Sequence, residues 1–169
     1  MKMPTLKTIS IFTLLFTFSA ASAAMTVDMK TVDASGNGQS IGTVTITPAK
    51  CGVMITPNLH NLTPGTHGFH IHQHPSCADN AMAAGGHLDP KKTDQHDGPY
   101  DSKGHLGDLP ILVVEQDGTA THPTLAPRLE MSAFKDHALM IHKNGDNYSD
   151  TPEKLGGGGA RIACGVITE

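Results

Sequence analysis

Three groups of side chains in this sequence have the residue types and spacing to hold metal ions. His70 and His72 bracket Ile71 in Gly68-Phe69-His70-Ile71-His72. Alternate residues of a strand share a face, so both imidazoles can meet one ion while Ile71 points into the core. Gly68 permits close backbone approach beside them. The second group is spread over a loop. His87 lies in Gly86-His87-Leu88-Asp89-Pro90, His96 follows, and then Gly104-His105-Leu106-Gly107-Asp108. His87, His96, His105 and Asp108 make three nitrogens and one oxygen, a tetrahedral donor set that suits zinc. The third piece is His142, at the end of Leu139-Met140-Ile141-His142. It shares a strand face with Met140. With His70 and His72 it offers three nitrogens in a more open geometry that suits copper, a redox metal. Asp146, four residues on, can accept the second N–H of a metal-ligating imidazole.

The composition agrees with a metal site and excludes other classes. Eleven of the 169 residues are histidine, the commonest metal ligand. The formal net charge of -4 argues against a nucleic-acid partner, which needs a broad basic face. With no Trp, two Tyr and five Phe, a platform for stacking bases is excluded and the core must be aliphatic. Eighteen Gly and eleven Pro mark a loop-rich chain and not a helical bundle.

Short strands must carry these ligands. Strands are predicted at Thr26–Val32, Ile41–Thr47, Gly52–Thr56, Gly68–Gln73, Leu109–Val114, Ala120–Thr124, Ala138–His142 and Arg161–Thr168. Gln116-Asp117-Gly118 carries a hairpin turn signal between two of them. Met131–Lys135 reads as locally helical. Eight short strands with turns between them imply an all-β fold, closed or sandwiched and antiparallel. Two long segments, Pro75–Gly107 and Lys143–Ala160, read as loops. Loops of this length are functional or disordered. The histidines in the first favour a loop pinned by metal.

Residues 1–23 read as a secretory signal peptide. Lys2 and Lys7 precede the apolar Ile9–Phe18, and Ala21-Ser22-Ala23 is a small-residue cleavage site. The apolar stretch is too short to span a bilayer, which needs about 20 residues. No stable membrane insertion is expected after its removal. Residues 24–169 form one domain. Cys51, Cys77 and Cys164 are the three cysteines. An exported protein can keep a disulfide, and the sequence alone allows three pairings. Cys51 is expected to be a small buried hydrophobe.

In their order along the chain, these motifs resemble the copper,zinc superoxide dismutase family in its bacterial exported branch. The resemblance runs from about Thr26 to Ile167. Besides the segments quoted, it is carried by Gly145-Asp146-Asn147-Tyr148-Ser149-Asp150, by the four glycines 156–159, and by Gly159-Ala160-Arg161-Ile162-Ala163-Cys164-Gly165. It implies an eight-stranded antiparallel Greek-key β-barrel or sandwich with two long functional loops. The implied activity is dismutation of superoxide to O2 and H2O2, an oxidoreductase reaction of antioxidant defence. The implied cofactors are one copper and one zinc per subunit. Copper falls to His70, His72, His87 and His142; zinc falls to His87, His96, His105 and Asp108. His87 bridges the metals as an imidazolate and carries a proton. Asp146 ties His70 to His96. Arg161 attracts the superoxide anion. Cys77 and Cys164 form the disulfide. The implied state is a monomer or homodimer in the periplasm.

Some features depart from the family pattern. The connection from Cys77 to His87 is shorter than in many bacterial members. His74 extends the alternating histidines and is expected to be exposed, with auxiliary metal capture as the alternative. His60, His67, His122 and His137 are read as structural or surface residues. The main rival function is a non-enzymatic copper or zinc carrier on the same fold. A carrier would need neither Arg161 nor ligand sets for both metals.

Overall fold

A computed structural model describes residues 24–168. The predicted signal segment, 1–23, lies outside the described residues.

Nine strands occur among these residues: β1 Met25–Thr31, β2 Ser40–Ala49, β3 Gly52–Leu59, β4 Gly65–His67, β5 Phe69–His72, β6 Leu112–Val114, β7 Thr124–Ala126, β8 Ala138–His142 and β9 Arg161–Val166. Seven form one antiparallel sheet in the order β5-β8-β9-β1-β2-β3-β7, and β4 pairs with β6 in a second. The β1-β2-β3 meander with a distant strand returned beside its first member is a Greek-key arrangement. The expected all-β, antiparallel class is what the chain adopts. Three short 3-10 turns, Met82–Ala84, Met131–Phe134 and Lys154–Gly157, are the helical content among the described residues.

The pattern of burial follows from the sequence alternation. On β3, Val53, Ile55, Pro57 and Leu59 face inward and their neighbours face out. Val44 and Ile46 do the same on β2, as their spacing predicts. Phe69 and Ile71 on β5 and Leu139 and Ile141 on β8 join the main core with Val44, Ile46, Ile55, Leu109 and Phe134. The opposite face of β8 carries Met140, which packs with Ala81, Ala84, Ala138 and Cys164. β5 and β8 are therefore buried on both faces, and their polar side chains need built partners.

The strand expected at Gly68–Gln73 is present as β5, Phe69–His72, and β4 is a separate strand before Gly68 in the other sheet. Two expectations are corrected. The segments around Gln116-Asp117-Gly118 do close a turn, through Glu115 N–H to Thr119 O (hydrogen bond 2.8 Å from Glu115 N) and Gly118 N–H to Glu115 O. They do not form a hairpin, because β6 pairs with β4 and β7 with β3. Cys51 is exposed, not buried. It lies in the turn between the paired residues Ala49 and Gly52, beyond the end of the sheet.

The long loop 75–107 is stitched to the free edge of β5. Ile71 N–H donates to Gly107 O (2.9 Å), Leu88 N–H to Ile71 O (2.8 Å) and Gln73 N–H to Gly86 O (3.0 Å). His72 and His87 are bridge partners, as are His70 and Asp108. The loop thereby satisfies an edge that would otherwise be unpaired and brings its own histidines alongside those of β5. Cys77 and Cys164 form a disulfide that joins this loop to β9, with Cα atoms 5.8 Å apart.

Candidate metal centre

His70, His72 and His142 project from β5 and β8 on the face opposite Ile71 and Ile141, and all three are buried. They are neighbours because β5 and β8 pair, Phe69 opposite Ile141. The β8–β9 register shifts between Ile141 and His142, and His142 then stands opposite Arg161. Such a bulge re-aims a side chain. Gly68 explains how the rings come close. A Cβ there would meet His70 Cε1 at 3.1 Å and His142 Cβ at 3.4 Å.

Hydrogen bonds set which ring nitrogen each histidine leaves free. His72 Nδ1–H donates to Gly85 O (2.9 Å) and His142 Nδ1–H to Gly159 O (3.0 Å). Their two Nε2 atoms face each other at 3.4 Å. His70 uses the opposite nitrogen: its Nε2–H donates to Asp146 Oδ2 (2.7 Å), and its buried Nδ1 has no partner. His87 Nδ1 meets Asp108 Oδ1 at 2.9 Å, and its ring stacks on that of His70 with centroids 3.9 Å apart. One compact group of potential ligand atoms is formed by His70, His72, His87 and His142.

The second group is built on a carboxylate. Asp108 is fully enclosed, with His87 Nδ1 at 2.9 Å, His96 Nδ1 at 3.0 Å and His105 Nδ1 at 3.5 Å. His70, His87, His96 and Asp108 are its tightest subset, and His105 stands beside them. His87 thus belongs to both groups. His96 Nε2–H donates to Asp146 Oδ1 (2.8 Å), so Asp146 ties His96 to His70 through its two oxygens. Gly156 makes room for that bridge. It has φ +70°, and a Cβ on it would lie 1.8 Å from Asp146 Oδ1 and 2.8 Å from His96 Nε2.

The donor chemistry fits two metal ions. Buried His70 Nδ1 has no hydrogen-bond partner, and His96 Nδ1 and His105 Nδ1 crowd the one Asp108 carboxylate at 3.0 and 3.5 Å. An unpaired buried polar atom is costly, and metal ligation would satisfy it and give the crowded donors a shared partner. Electrostatics divides the two groups. Burial, with the charge of neighbouring His87, pushes His70 down to about 3 and His72 down to about 2. Burial likewise brings His142 to about 4. In the second group, burial opposes the charge of His96, but hydrogen bonds from Asp108 and Asp146 outweigh it and raise the ring to about 9. Asp108 is held far below the usual carboxylate range. Burial opposes this too, and the hydrogen bonds of His105, His87 and His96 overcome it.

Over residues 40–167 the sequence matches the family Copper/zinc superoxide dismutase (SODC). The chain belongs to this family. "Superoxide dismutase [Cu-Zn] 1" of Salmonella typhimurium (strain 4/74) is 54% identical over 156 residues, covering 87% of this chain and 88% of its own. The copper/zinc enzyme of Brucella abortus superposes with a TM-score of 0.82 at 47% identity, covering 86% of this chain and all of its own. The monomeric copper, zinc enzyme of Salmonella enterica, solved in solution, superposes at 0.77 with 55% identity and the same coverages. The activity is superoxide dismutation, and the cofactors are copper and zinc.

The structure brings the expected residues His70, His72, His87, His96, His105, Asp108, His142 and Asp146 into one cluster and sets Arg161 opposite His142. Arg161 is half-buried and donates through Nη1 to Ala81 O and through Nη2 to Gly85 O (2.6 Å). Gly85 O is also the acceptor for His72, so one carbonyl links the guanidinium to the histidine group. Burial lowers the Arg161 pKa from its ordinary value. The connection from Cys77 to His87 delivers both carbonyls. It does so through a tight left-handed turn, with φ of 54° at Asp79, 51° at Asn80 and 62° at Ala81.

Sequence reasoning missed three supporting groups. His67 is buried, and its ring nitrogens lie 2.8 Å from His142 O and 2.8 Å from Thr63 O. Asp150 accepts the backbone N–H of His96 (3.0 Å) and that of Leu155 (3.1 Å). Tyr148 Oη accepts the N–H of Ile111 (2.9 Å). Asp150 and Tyr148 were already in the quoted Gly145–Asp150 motif, but nothing in it showed their partners. His74 is exposed, as expected, and lies outside both groups.

Proposed function

We propose that copper is held by His70 Nδ1 and by Nε2 of His72, His87 and His142. Zinc is held by His87 Nδ1, His96 Nδ1, His105 Nδ1 and Asp108. The observation that carries this assignment is the pair of buried ligand groups that share His87 and gather their donor atoms within a few ångströms of one another. Asp146 orients His70 and His96, leaving each with Nδ1 available. Bound copper supplies a one-electron couple, oxidising one superoxide to O2 and reducing the next, while zinc adds charge without redox chemistry.

The chain's own groups bind the anion and manage the proton. Arg161 keeps its charge at all working pH values and presents a rigid donor fork to a small oxyanion. Its contacts to Ala81 and Gly85 hold it opposite His142. His87 Nε2, when it is not ligating copper, is the atom suited to hold a proton and pass it to departing peroxide, with Nδ1 fixed on the Asp108 side.

Residues 1–23 act as a cleaved signal that sends the domain 24–169 to the periplasm. The three-part signal pattern and the Cys77–Cys164 disulfide support this address. The match to a relative described as monomeric supports a monomer; sedimentation as a homodimer would overturn that. The decisive experiment combines metal analysis with a superoxide assay on the purified protein. One copper and one zinc per chain with rapid dismutation are expected. Both metals bound without dismutation would make the protein a carrier.

A further inference from the structure

Arg128 follows β7 and lies outside both ligand groups, yet it holds the loop that carries one of them. Its guanidinium donates through Nε to Pro99 O (3.0 Å) and through Nη1 to Asp101 O and Gly104 O (3.3 Å to the latter). Nη2 donates to His105 O. Four carbonyls from one loop therefore converge on a single half-buried cation. We propose that Arg128 is a positioning residue for the zinc half of the centre, fixing the backbone at His105 so that its imidazole faces Asp108. This rests on the assignment of His105 and Asp108 to zinc.

The physical case has three parts. The loop between Asp97 and Asp108 has no strand or helix of its own, so its shape needs outside support. Within it, His105 N–H bonds to Gln95 O (2.9 Å), but that fixes one atom of the residue. Arg128 fixes the carbonyl, and the two contacts together set the peptide planes on either side of His105. Next, the clamp is mounted on the framework. Ala126 and Leu129, which flank Arg128 in the chain, are 2% exposed in the main core. Finally, four carbonyl oxygens turned toward one point repel each other without a donor between them. An arginine has five N–H groups in a planar fork, whereas a lysine is a single point charge with three donors. Lysine keeps the charge but cannot span these four acceptors. Burial lowers the guanidinium's pKa from its ordinary value, and the charges of Asp108, Asp101 and Asp97 offset part of that shift.

The test is zinc and copper titration of metal-stripped R128K and R128Q against chromophoric chelators, with cobalt(II) as a visible probe of the zinc geometry. Zinc affinity is expected to fall roughly 10- to 100-fold in both. Copper affinity should stay within about threefold, because β5 and β8 carry three of those ligands and His87 is bridged to β5 at His72, and the cobalt band should weaken or shift. Zinc affinity near that of the wild type with an unchanged cobalt spectrum would overturn the inference. Equal losses of both metals would overturn it too, as a sign of general loosening. H105A separates the inference from its premise. Unchanged zinc affinity in H105A removes His105 from the zinc set; a large loss there beside an unaffected R128K rejects the role of Arg128 alone. If the variants do not fold, exchange of the Arg128 guanidinium N–H protons in the wild type decides. Slowed exchange of these protons is expected, and free exchange rejects the clamp.

Discussion

The two halves of the centre are built by different means. The proposed copper half takes His70, His72 and His142 from paired strands whose other face is packed with Ile71, Leu139 and Ile141. Strand pairing and core packing already set those three side chains. The proposed zinc half takes His96, His105 and Asp108 from a loop. It is fastened by Asp146 and Asp150 at His96, by the β5 edge at Asp108, and by Arg128 at His105. The first half is rigid because the fold is rigid. The second is rigid because several polar contacts each remove one freedom. The electrostatics divides in a similar way: burial keeps the strand histidines neutral, whereas carboxylates draw protons onto His96 and His105.

The largest test of this contrast is Asp108→Ala. Structural zinc sites bind with about 10–16 kcal/mol over four ligands, so one ligand is worth about 3 kcal/mol. Zinc affinity should fall at least about 100-fold, while copper uptake at the strand histidines changes little. Comparable losses of both metals in chelator titrations would show that the halves are not separately built.

Arg161→Glu probes the strand side without touching a ligand. Its charge reversal should cut kcat/KM by roughly 10- to 100-fold, a steering effect for which this family is itself a reference case. Both metals should remain by metal analysis. The loss should shrink as ionic strength rises, since screening weakens the field. Full activity at low salt would remove Arg161 from anion attraction.

Gly156→Ala attacks a loop fastening. The added methyl would collide with Asp146 and cannot be relieved cheaply at φ +70°. Zinc affinity should drop about 10-fold or more through the displaced Asp146, with melting temperature as a second readout. An Ala variant with wild-type zinc affinity would mean that Asp146 does not depend on this gap.

The gentlest test is pH. His96 is raised to about 9 in the absence of metal, so near neutral pH zinc must expel its proton. Zinc affinity should fall about tenfold per unit as pH drops below 9, for each proton displaced. His70, His72 and His142 are pushed to about 3, 2 and 4 and stay neutral from pH 5 to 8. They release no proton, and copper binding to them should be nearly flat in that range. Calorimetry in buffers of different ionisation heat reads both. A flat zinc profile would contradict the carboxylate-built half.

Local patterns made the strand half legible. The His70-Ile71-His72 alternation places two ligands on one face, and Leu139–His142 has the same period. The Asp-Gly turn at 117–118 was also legible, yet its flanking strands went to different partners, because pairing is a contest among distant segments and not a local property. Cys51 was misread for the same reason: its apolar character is local, whereas its place at the tip of a turn depends on the Ala49–Gly52 register. Asp150, Tyr148, His67 and Arg128 act on backbone atoms of residues far along the chain, and no spacing rule reports such contacts.

The sequence by itself determined the kinds of donor atom, their order, and the strand faces that carry three of them. Those follow from side-chain chemistry and a fixed two-residue period. Only the tertiary structure decided which nitrogen each imidazole keeps free, which carbonyls hold Arg161 and Arg128, and how Asp146 reaches two histidines at once. Each of these is a contact between segments tens of residues apart, created when a shared core and one sheet edge bring both loops together.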